Sequence, residues 1–485
     1  MDTFYLGRAW NPKTGRIGKP VTYDLRSHFT LVGPTGCSKG VSVEIPNLIM
    51  GLHRSAVVSV DPSGQNAAVC AEARRERGSV VLPLNPMSLH VALYPDLESV
   101  GYNPCAALDP SDPARFFMES VALAEAMIPV EGESQRFFPE SARGLITWLI
   151  MYVRVRDGAN AHLGTVRDLL TEAEENDANG PIKGLRATAG RAVATGHPRI
   201  ASLAARFMKE SRSNTDIIST ADTHTRWLLD DRIRADLAKD GIDFATLKDE
   251  PPKTVFLILP AGTELEFFGV WLRVVLTGAL NALYRRGGED GLPAVFMLSE
   301  FAQLGKLSPI LACLGQGRKY GIRLAPIVLQ NTGQLRQLYG ADGAGTFIAN
   351  SGCVMGFTPG ETDTAEWMSK MSDDHSVIGL SASDDPRGGM ARLNFGEKQE
   401  RVWSPGKIRS LPERHALVWK FGQSQPQPVY CPPYWDMPEC RLARPDPYHR
   451  SGPSRPATGR KVAVRLAMLI IVAAVIAGTW LLITA

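Results

Sequence analysis

A glycine-rich stretch near the start of the chain has the residue types and spacing of a phosphate-binding loop. It lies between a predicted strand (29–32) and a predicted helix (41–50), and it reads Gly33-Pro34-Thr35-Gly36-Cys37-Ser38-Lys39-Gly40. In a strand-loop-helix unit the backbone N–H groups and the helix N-terminus form a positive concavity for phosphates, and the lysine reaches the β- and γ-phosphates. The stretch predicts a nucleotide site in which Lys39 is the cation. The alternative is an ordinary glycine-rich turn.

Two positions of this loop depart from the common pattern GxxxxGK[ST]. Ser38 replaces the glycine before the lysine, and Gly40 replaces the hydroxyl residue that usually holds magnesium. If Ser38 must adopt a left-handed backbone conformation, the strain costs roughly 1–2 kcal/mol.

A second stretch could supply the chemistry of ATP hydrolysis. The apolar segment 294–298 is followed by Ser299 and Glu300. At these positions a hydrolytic site places an Asp for magnesium and then a Glu that polarises the attacking water. We therefore predict that Glu300 orients the water and that Ser299 contacts Mg²⁺ only indirectly, through a bound water.

Two further polar residues follow predicted strands. Asp61 ends the apolar segment 56–60 and is a second candidate for contact with the metal. Gln330 follows the apolar segment 322–329, and its amide is suited to sensing a γ-phosphate. A structural amide cap is an equally good interpretation of Gln330.

Alternating strand and helix patterns with short connections place these residues in an α/β fold, with a parallel sheet covered on both faces. From about 110 to 241 helical periodicity dominates and strand signals nearly vanish, which predicts an inserted all-α domain. The predicted division is a nucleotide-binding domain in two parts (1–106 and 247–438), the all-α domain (107–246), a Pro- and Arg-rich linker (439–461) and a transmembrane helix (462–485).

The end of the sequence is predicted to cross a membrane. Residues 466–485 carry no charge, and as a helix they would span roughly 30 Å, the thickness of the bilayer hydrocarbon. Four cations lie just upstream, which by the positive-inside rule leaves the bulk of the chain in the cytoplasm: Arg455, Arg460, Lys461 and Arg465. The alternative is a buried core helix.

Composition limits the other possibilities. The net charge is +3 with a pI near 8.4, so a basic surface for nucleic acid must be local if it exists. The seven cysteines are scattered without a CxxC pair, which favours reduced thiols in a cytosolic compartment over a disulfide framework or a zinc site.

Taken in order, several segments resemble the TraG-type coupling proteins of bacterial conjugation and type IV secretion. The first segment, 33–47, is similar to the GPTGSGKGVG loop of that family and its Ile-Pro-Asn turn. Position 299 holds Ser where the DEF-x-x-LG motif of the family has Asp. The other similar segments are 61–66 (DPSGQN, family DPKGE), 102–104 (YNP), 137–142 (FFPESA), 300–305 (EFAQLG), 320–322 (YGI) and 330–340 (QNTGQLRQLYG).

The resemblance covers residues 27–435 and implies a RecA-like motor that binds ATP and Mg²⁺. It also implies a hexameric ring of identical chains at the bacterial inner membrane, which delivers a DNA–relaxase complex or an effector protein to type IV secretion channel subunits. Members of the family usually place transmembrane helices before the motor domain, whereas here the predicted one follows it.

Ser38 and Ser299 predict that ATP hydrolysis is weak. The alternative is a non-hydrolysing, membrane-anchored receptor or scaffold, which Ser63 and Gln65 also favour because they replace charged residues of the family motif. The predicted tail anchor and helical insertion oppose a third interpretation, a soluble metabolic kinase.

Overall fold

The described part of the chain, in a computed structural model, comprises residues 2–130, 136–174, 183–372, 374–383 and 392–449, with the backbone alone for 375–383 and 392–400. Its strands are β1 (Phe4–Trp10), β2 (Ile17–Tyr23), β3 (His28–Val32), β4 (Ala56–Pro62), β5 (Val80–Leu84), β6 (Lys253–Leu259), β7 (Ala294–Leu298), β8 (Ile322–Leu329), β9 (Ser351–Phe357), β10 (Asp374–Ser383), β11 (Arg392–Arg401), β12 (His415–Lys420) and β13 (Gln427–Tyr430).

Within the described residues, eleven strands form one mixed sheet in the order β2-β1-β13-β12-β9-β3-β8-β7-β4-β6-β5, while β10 and β11 pair separately as an antiparallel hairpin. The strands from β9 to β5 run parallel, and β12, β13, β1 and β2 extend the sheet antiparallel at one end. The predicted α/β fold with a large parallel sheet is confirmed, and the antiparallel extension was not predicted.

The central strands are mostly apolar because both faces of the sheet are covered. In β7, Phe296 and Leu298 pack into one hydrophobic core, and the alternate residues Val295 and Met297 pack into the other. This alternation fixes the register of the strand, so the polar residues that follow it emerge at a defined place on the sheet edge.

Helices cover both faces. They are α1 (Ile45–Met50, which continues a π-helical turn at Gly40–Glu44), α2 (Gln65–Glu76), α3 (Pro113–Met127), α4 (Phe137–Asp157), α5 (Leu163–Thr171), α6 (Leu185–Ala194), α7 (Pro198–Ala204), α8 (Arg212–Thr225), α9 (Asp231–Leu237), α10 (Thr263–Arg286), α11 (Ser308–Gln316), α12 (Gly333–Ala349), α13 (Thr362–Lys370) and α14 (Pro405–Arg409). Between β5 and β6, the described residues contain helices α3 to α9 and no strand.

One helix in the described residues, α10, is long and apolar enough to cross a bilayer, but 67% of its apolar window is buried inside the protein. Its Trp271, Val275 and Leu276 belong to the larger core, which is typical of a core helix of a globular domain. The transmembrane helix predicted at 462–485 lies outside the described residues.

The predicted linker, 439–461, is described as far as His449. In this part Cys440 and Asp446 are buried, and the Arg444 side chain donates to the carbonyl of Ala68 in α2 at 3.0 Å. The end of the described chain therefore packs against α2.

Candidate nucleotide-binding site

The loop after β3 closes tightly over the end of the sheet. The N–H of Gly33 donates to the carbonyl of Leu329 at the end of β8 (3.0 Å). A Cβ on Gly33 would lie 2.7 Å from Cys37 Sγ and 2.9 Å from Phe357 Cβ, so only glycine fits here. Ser38 has a φ of +70°, in the left-handed region where a side chain is strained.

Lys39 points back into its own loop. Its Nζ donates to the carbonyls of Gly33 (2.6 Å) and Pro34 (2.8 Å), and the residue is only 9% exposed. Loop carbonyls are the groups that a phosphate would replace as partners of this ammonium, so the cation already lies where the loop would surround an anion.

Glu300 and Gln330 meet at the ends of β7 and β8. The two strands are neighbours, and β8 lies between β7 and the loop-bearing β3. The amide Nε2 of Gln330 donates to Glu300 Oε2 at 3.2 Å. The side-chain cap here comes from Gln334, which accepts from the N–H of Gln330 at 2.8 Å. The side chain of Gln330 is thus turned to Glu300, and its role as a γ-phosphate sensor or as a structural amide stays a prediction.

Glu44, which the sequence reasoning missed, lies beside Ser299. Glu44 is 4% exposed, and its Oε2 accepts hydrogen bonds from the Ser299 hydroxyl and from Asn66 Nδ2 (3.2 Å). Burial raises the pKa of Glu44 above the ordinary value, against the lowering effect of these hydrogen bonds and of Lys39. The available signal was a single acid within the otherwise uncharged run 41–50.

Asp61 caps α2. Its Oδ1 accepts from the N–H of Asn66 (3.1 Å) and its Oδ2 from the N–H of Ala67 (2.7 Å). Burial raises the pKa of Asp61 to about 7, while the backbone hydrogen bonds act in the opposite direction and the nearby Glu44 adds to the rise. Because both oxygens are engaged, the geometry favours a structural role for Asp61 over direct contact with a metal.

These polar groups line one open cleft of about 730 Å³. Of the predicted loop residues, Gly33, Pro34 and Cys37 are absent from its lining. The predicted site residues that line it are Thr35, Gly36, Ser38, Lys39, Gly40, Asp61, Ser299, Glu300 and Gln330. Glu44, Arg414, Trp435 and His449 also line it, and nothing in the sequence pattern pointed to the last three.

The donor set of the cleft suits magnesium, which prefers oxygen ligands and keeps several waters, and which is bound mainly through phosphates and one or two carboxylates. Glu44 and Glu300 supply carboxylates to the cleft that Lys39 also lines. In the described part of the chain, no group of three or more His, Cys, Asp or Glu residues is arranged to hold a metal by itself.

Residues 1–444 match the family of type IV secretory system conjugative DNA transfer proteins. The chain belongs to this family. The resemblance deduced from the motifs is thereby confirmed.

Among family relatives, protein VirD4 of Agrobacterium fabrum is 23% identical over 417 residues, which are 85% of this chain and 59% of that protein. The conjugal transfer protein TraG of Rhizobium radiobacter is 27% identical over 369 residues, 72% of this chain and 53% of that protein. The chain thus spans little more than half the length of these curated relatives.

The family fold is also seen in solved structures. The plasmid coupling protein TrwB in complex with ADP and Mg²⁺ is 18% identical, with a TM-score of 0.61 over 89% of this chain and 94% of that one. At this identity the likeness shows the fold alone: a mixed α/β fold with a large parallel sheet.

Proposed function

We propose that this family member binds ATP with Mg²⁺ in the cleft and uses it to recruit DNA or protein substrate to a type IV secretion or conjugation channel. One observation carries the nucleotide assignment. Lys39 and its loop, Glu300 and Gln330 come from three strand ends far apart in sequence, and they line the same cleft. In α/β folds, ligands bind at the carboxyl ends of parallel strands.

In this proposal each group has a distinct task. The backbone N–H groups of the loop residues that line the cleft hold the phosphates, and the Lys39 ammonium exchanges its loop carbonyls for phosphate oxygens. Glu300 orients the attacking water, and Gln330 senses the γ-phosphate; its hydrogen bond to Glu300 supports a shared role for the two side chains. A bound Mg²⁺ neutralises charge that develops on the transferred phosphoryl group.

The transport role rests on the family. Relatives are named a conjugal transfer protein and a type IV secretion system-coupling protein, and a structural neighbour is named a bacterial conjugative coupling protein. By analogy we propose a ring, in hexameric form, that engages channel subunits and either a DNA–relaxase complex or an effector protein. The domain division predicted from the sequence, with the helical domain at 107–246, belongs to this proposal.

We also propose that the tail anchors the protein to the bacterial inner membrane. The uncharged run 466–485 and the cations before it support this. Ending the chain after Lys461 should move the protein from the membrane fraction to the soluble fraction. A full-length chain that is soluble after gentle lysis would contradict the anchor.

A second candidate is a receptor or scaffold that binds nucleotide without hydrolysing it. Ser299 favours it, because a hydroxyl brings no negative charge to the metal. Measured turnover separates the two functions, since a scaffold would bind ATP and release no phosphate.

The nucleotide site itself is tested by Lys39→Ala. Titration of a fluorescent ATP analogue should show binding to the wild type and none to the variant, because the main cation of the loop is lost. Lys13→Ala, at an exposed position, is the matched control and should bind like the wild type. Equal binding by the Lys39 variant and the wild type would exclude the phosphate assignment.

A further inference from the structure

The cleft lacks an acid at the position where the family motif has one. Ser299 follows β7, which places it beside Glu300 at the edge of the sheet. A serine hydroxyl can accept a hydrogen bond from a metal-bound water but cannot offset the charge of a divalent ion. If the cleft binds Mg²⁺ with nucleotide, a carboxylate has to come from another element.

Glu44 places a carboxylate next to that position from the other side of the cleft. It lies five residues after Lys39, on the helical turn that leads into α1. The Ser299 hydroxyl donates to Glu44 Oε2. The Glu44 carboxylate is therefore one hydrogen bond away from the serine that stands where the family motif has Asp. Residues 44 and 299 together therefore provide both a hydroxyl and a carboxylate at the end of β7.

In the described residues Glu44 has a cation in its surroundings, Lys39, which acts on its charge without forming an ion pair with it. Both hydrogen bonds that Glu44 accepts within the described residues come from neutral donors, and both reach Oε2. The ion pairs in the described ranges include none with Glu44, whereas the half-buried Glu119 pairs with Arg285 at 3.0 Å. A buried carboxylate is costly unless a cation or several donors compensate it. The arrangement is thus suited to a cation that enters the cleft.

We propose that Glu44 is the carboxylate that holds the magnesium ion of the nucleotide complex, through bound water, in place of an acid at position 299. The proposal rests on the nucleotide site proposed above. If this is correct, the magnesium ion needs one carboxylate at this place, and either position 44 or position 299 can supply it. A carboxylate at both positions would bury two like charges side by side, which is unfavourable.

Three variants test this exchange: Glu44→Gln, Ser299→Asp and the double variant. The measurement is the Mg²⁺ concentration that half-maximally strengthens binding of a fluorescent ATP analogue, compared with binding in EDTA. Glu44→Gln should bind the nucleotide in EDTA at least as tightly as the wild type, because it removes a negative charge near the phosphates. It should raise the half-saturating Mg²⁺ concentration by about 10–100-fold, the usual effect of losing a partner that acts beyond the direct ligands. The double variant should recover most of this loss.

Controls separate metal binding from folding. Glu72→Gln removes an exposed acid of α2 and should behave like the wild type. Thermal unfolding of every variant in EDTA shows whether the cleft is intact. Ser299→Asp alone should unfold more readily than the double variant, because only the single variant carries both carboxylates.

Three results would overturn the assignment. The first is a Glu44→Gln variant with the Mg²⁺ dependence of the wild type. The second is a double variant that recovers nothing although it folds and binds nucleotide in EDTA. The third is a wild type that binds nucleotide equally with and without Mg²⁺, which leaves the proposed nucleotide site standing. A wild type that binds no nucleotide in either buffer would instead refute the site, and the assignment with it.

Discussion

Gln65 Nε2 donates a hydrogen bond of 2.8 Å to Asp446 Oδ2, and so joins the first turn of α2 to a segment 381 residues further along the chain. Asp446 is buried and also accepts from the Tyr434 hydroxyl (3.1 Å). Nearby, the Tyr448 hydroxyl donates to the carbonyl of Ser63 at 2.9 Å. In the sequence analysis, Ser63 and Gln65 favoured a receptor that does not hydrolyse ATP. In the structure both residues contact the end of the described chain.

The first prediction concerns the hydrogen bond between Gln65 and Asp446. Gln65→Glu, which introduces the residue type of the family motif, should lower the free energy of unfolding by roughly 1–3 kcal/mol at pH 7, because it removes a donor and opposes two carboxylates. Urea unfolding measures the change. Adding Asp446→Asn should restore most of the stability, since the new amide can donate to the introduced carboxylate. If the single variant is as stable as the wild type, the two side chains do not interact in solution.

The second prediction concerns Glu300 and its partner. Glu300→Gln should reduce ATP turnover by about 10²–10⁴-fold with nucleotide binding retained, because the residue that orients water is lost. Gln330→Ala should reduce turnover less, since Glu300 keeps its charge but loses the amide that holds it. Phosphate release measures both, with the exposed Gln316→Ala as a matched control. Turnover unaffected by Glu300→Gln would place the base elsewhere.

The parallel half of the sheet was predictable from the sequence, and the antiparallel half was not. Each strand from β9 to β5 appeared as an apolar run, because a strand covered on both faces leaves little room for polar residues. The end strands carry weaker patterns: β2 is mostly exposed, and β13 has only four residues. These segments form strands because they pair with each other; in β1 and β13, for example, Arg8 lies opposite Tyr430. A local sequence pattern cannot reveal a pairing partner that is so distant in the chain.

The residues of the cleft were likewise predictable only where a local sequence pattern marks them. The loop and Glu300 follow strands at recognisable spacing, so their types and positions were visible in the sequence. Glu44 was not recognised because its partner Ser299 is 255 residues away. Arg414, also missed, lines the cleft from a connection between α14 and β12 that carries no motif.

The third prediction uses the strain at Ser38. Ser38→Gly should raise the free energy of unfolding by up to about 1 kcal/mol, since glycine adopts the left-handed conformation without the penalty of a side chain but loses more chain entropy on folding. Ser219→Gly, at an exposed position inside α8, is the matched control and should lower it by about 0.5–1 kcal/mol. Urea unfolding without nucleotide measures both. Changes of the same sign in the two variants would contradict the strain.

The last prediction concerns pH and Asp61. Burial raises the pKa of its carboxyl from 3.8 to about 7 in the folded protein, so the folded state binds a proton that the unfolded state has released. The stability that this proton contributes is complete below about pH 4 and is lost as the pH rises toward 7. Between pH 5 and pH 8 the loss should be roughly 2–3 kcal/mol.

Asp61→Asn isolates this effect, because the amide keeps an acceptor for one of the two N–H groups of α2 and does not titrate. Unfolding of the wild type and the variant is measured in EDTA without nucleotide at several pH values. The wild type should lose stability relative to the variant as the pH rises. The same pair is also compared with Glu44→Gln in both proteins, because Glu44 acts on the charge of Asp61 and its own titration does not cancel. A difference that stays constant from pH 5 to pH 8 would show that Asp61 is already ionised at pH 5. In that case the two backbone N–H groups would outweigh the cost of burying its charge.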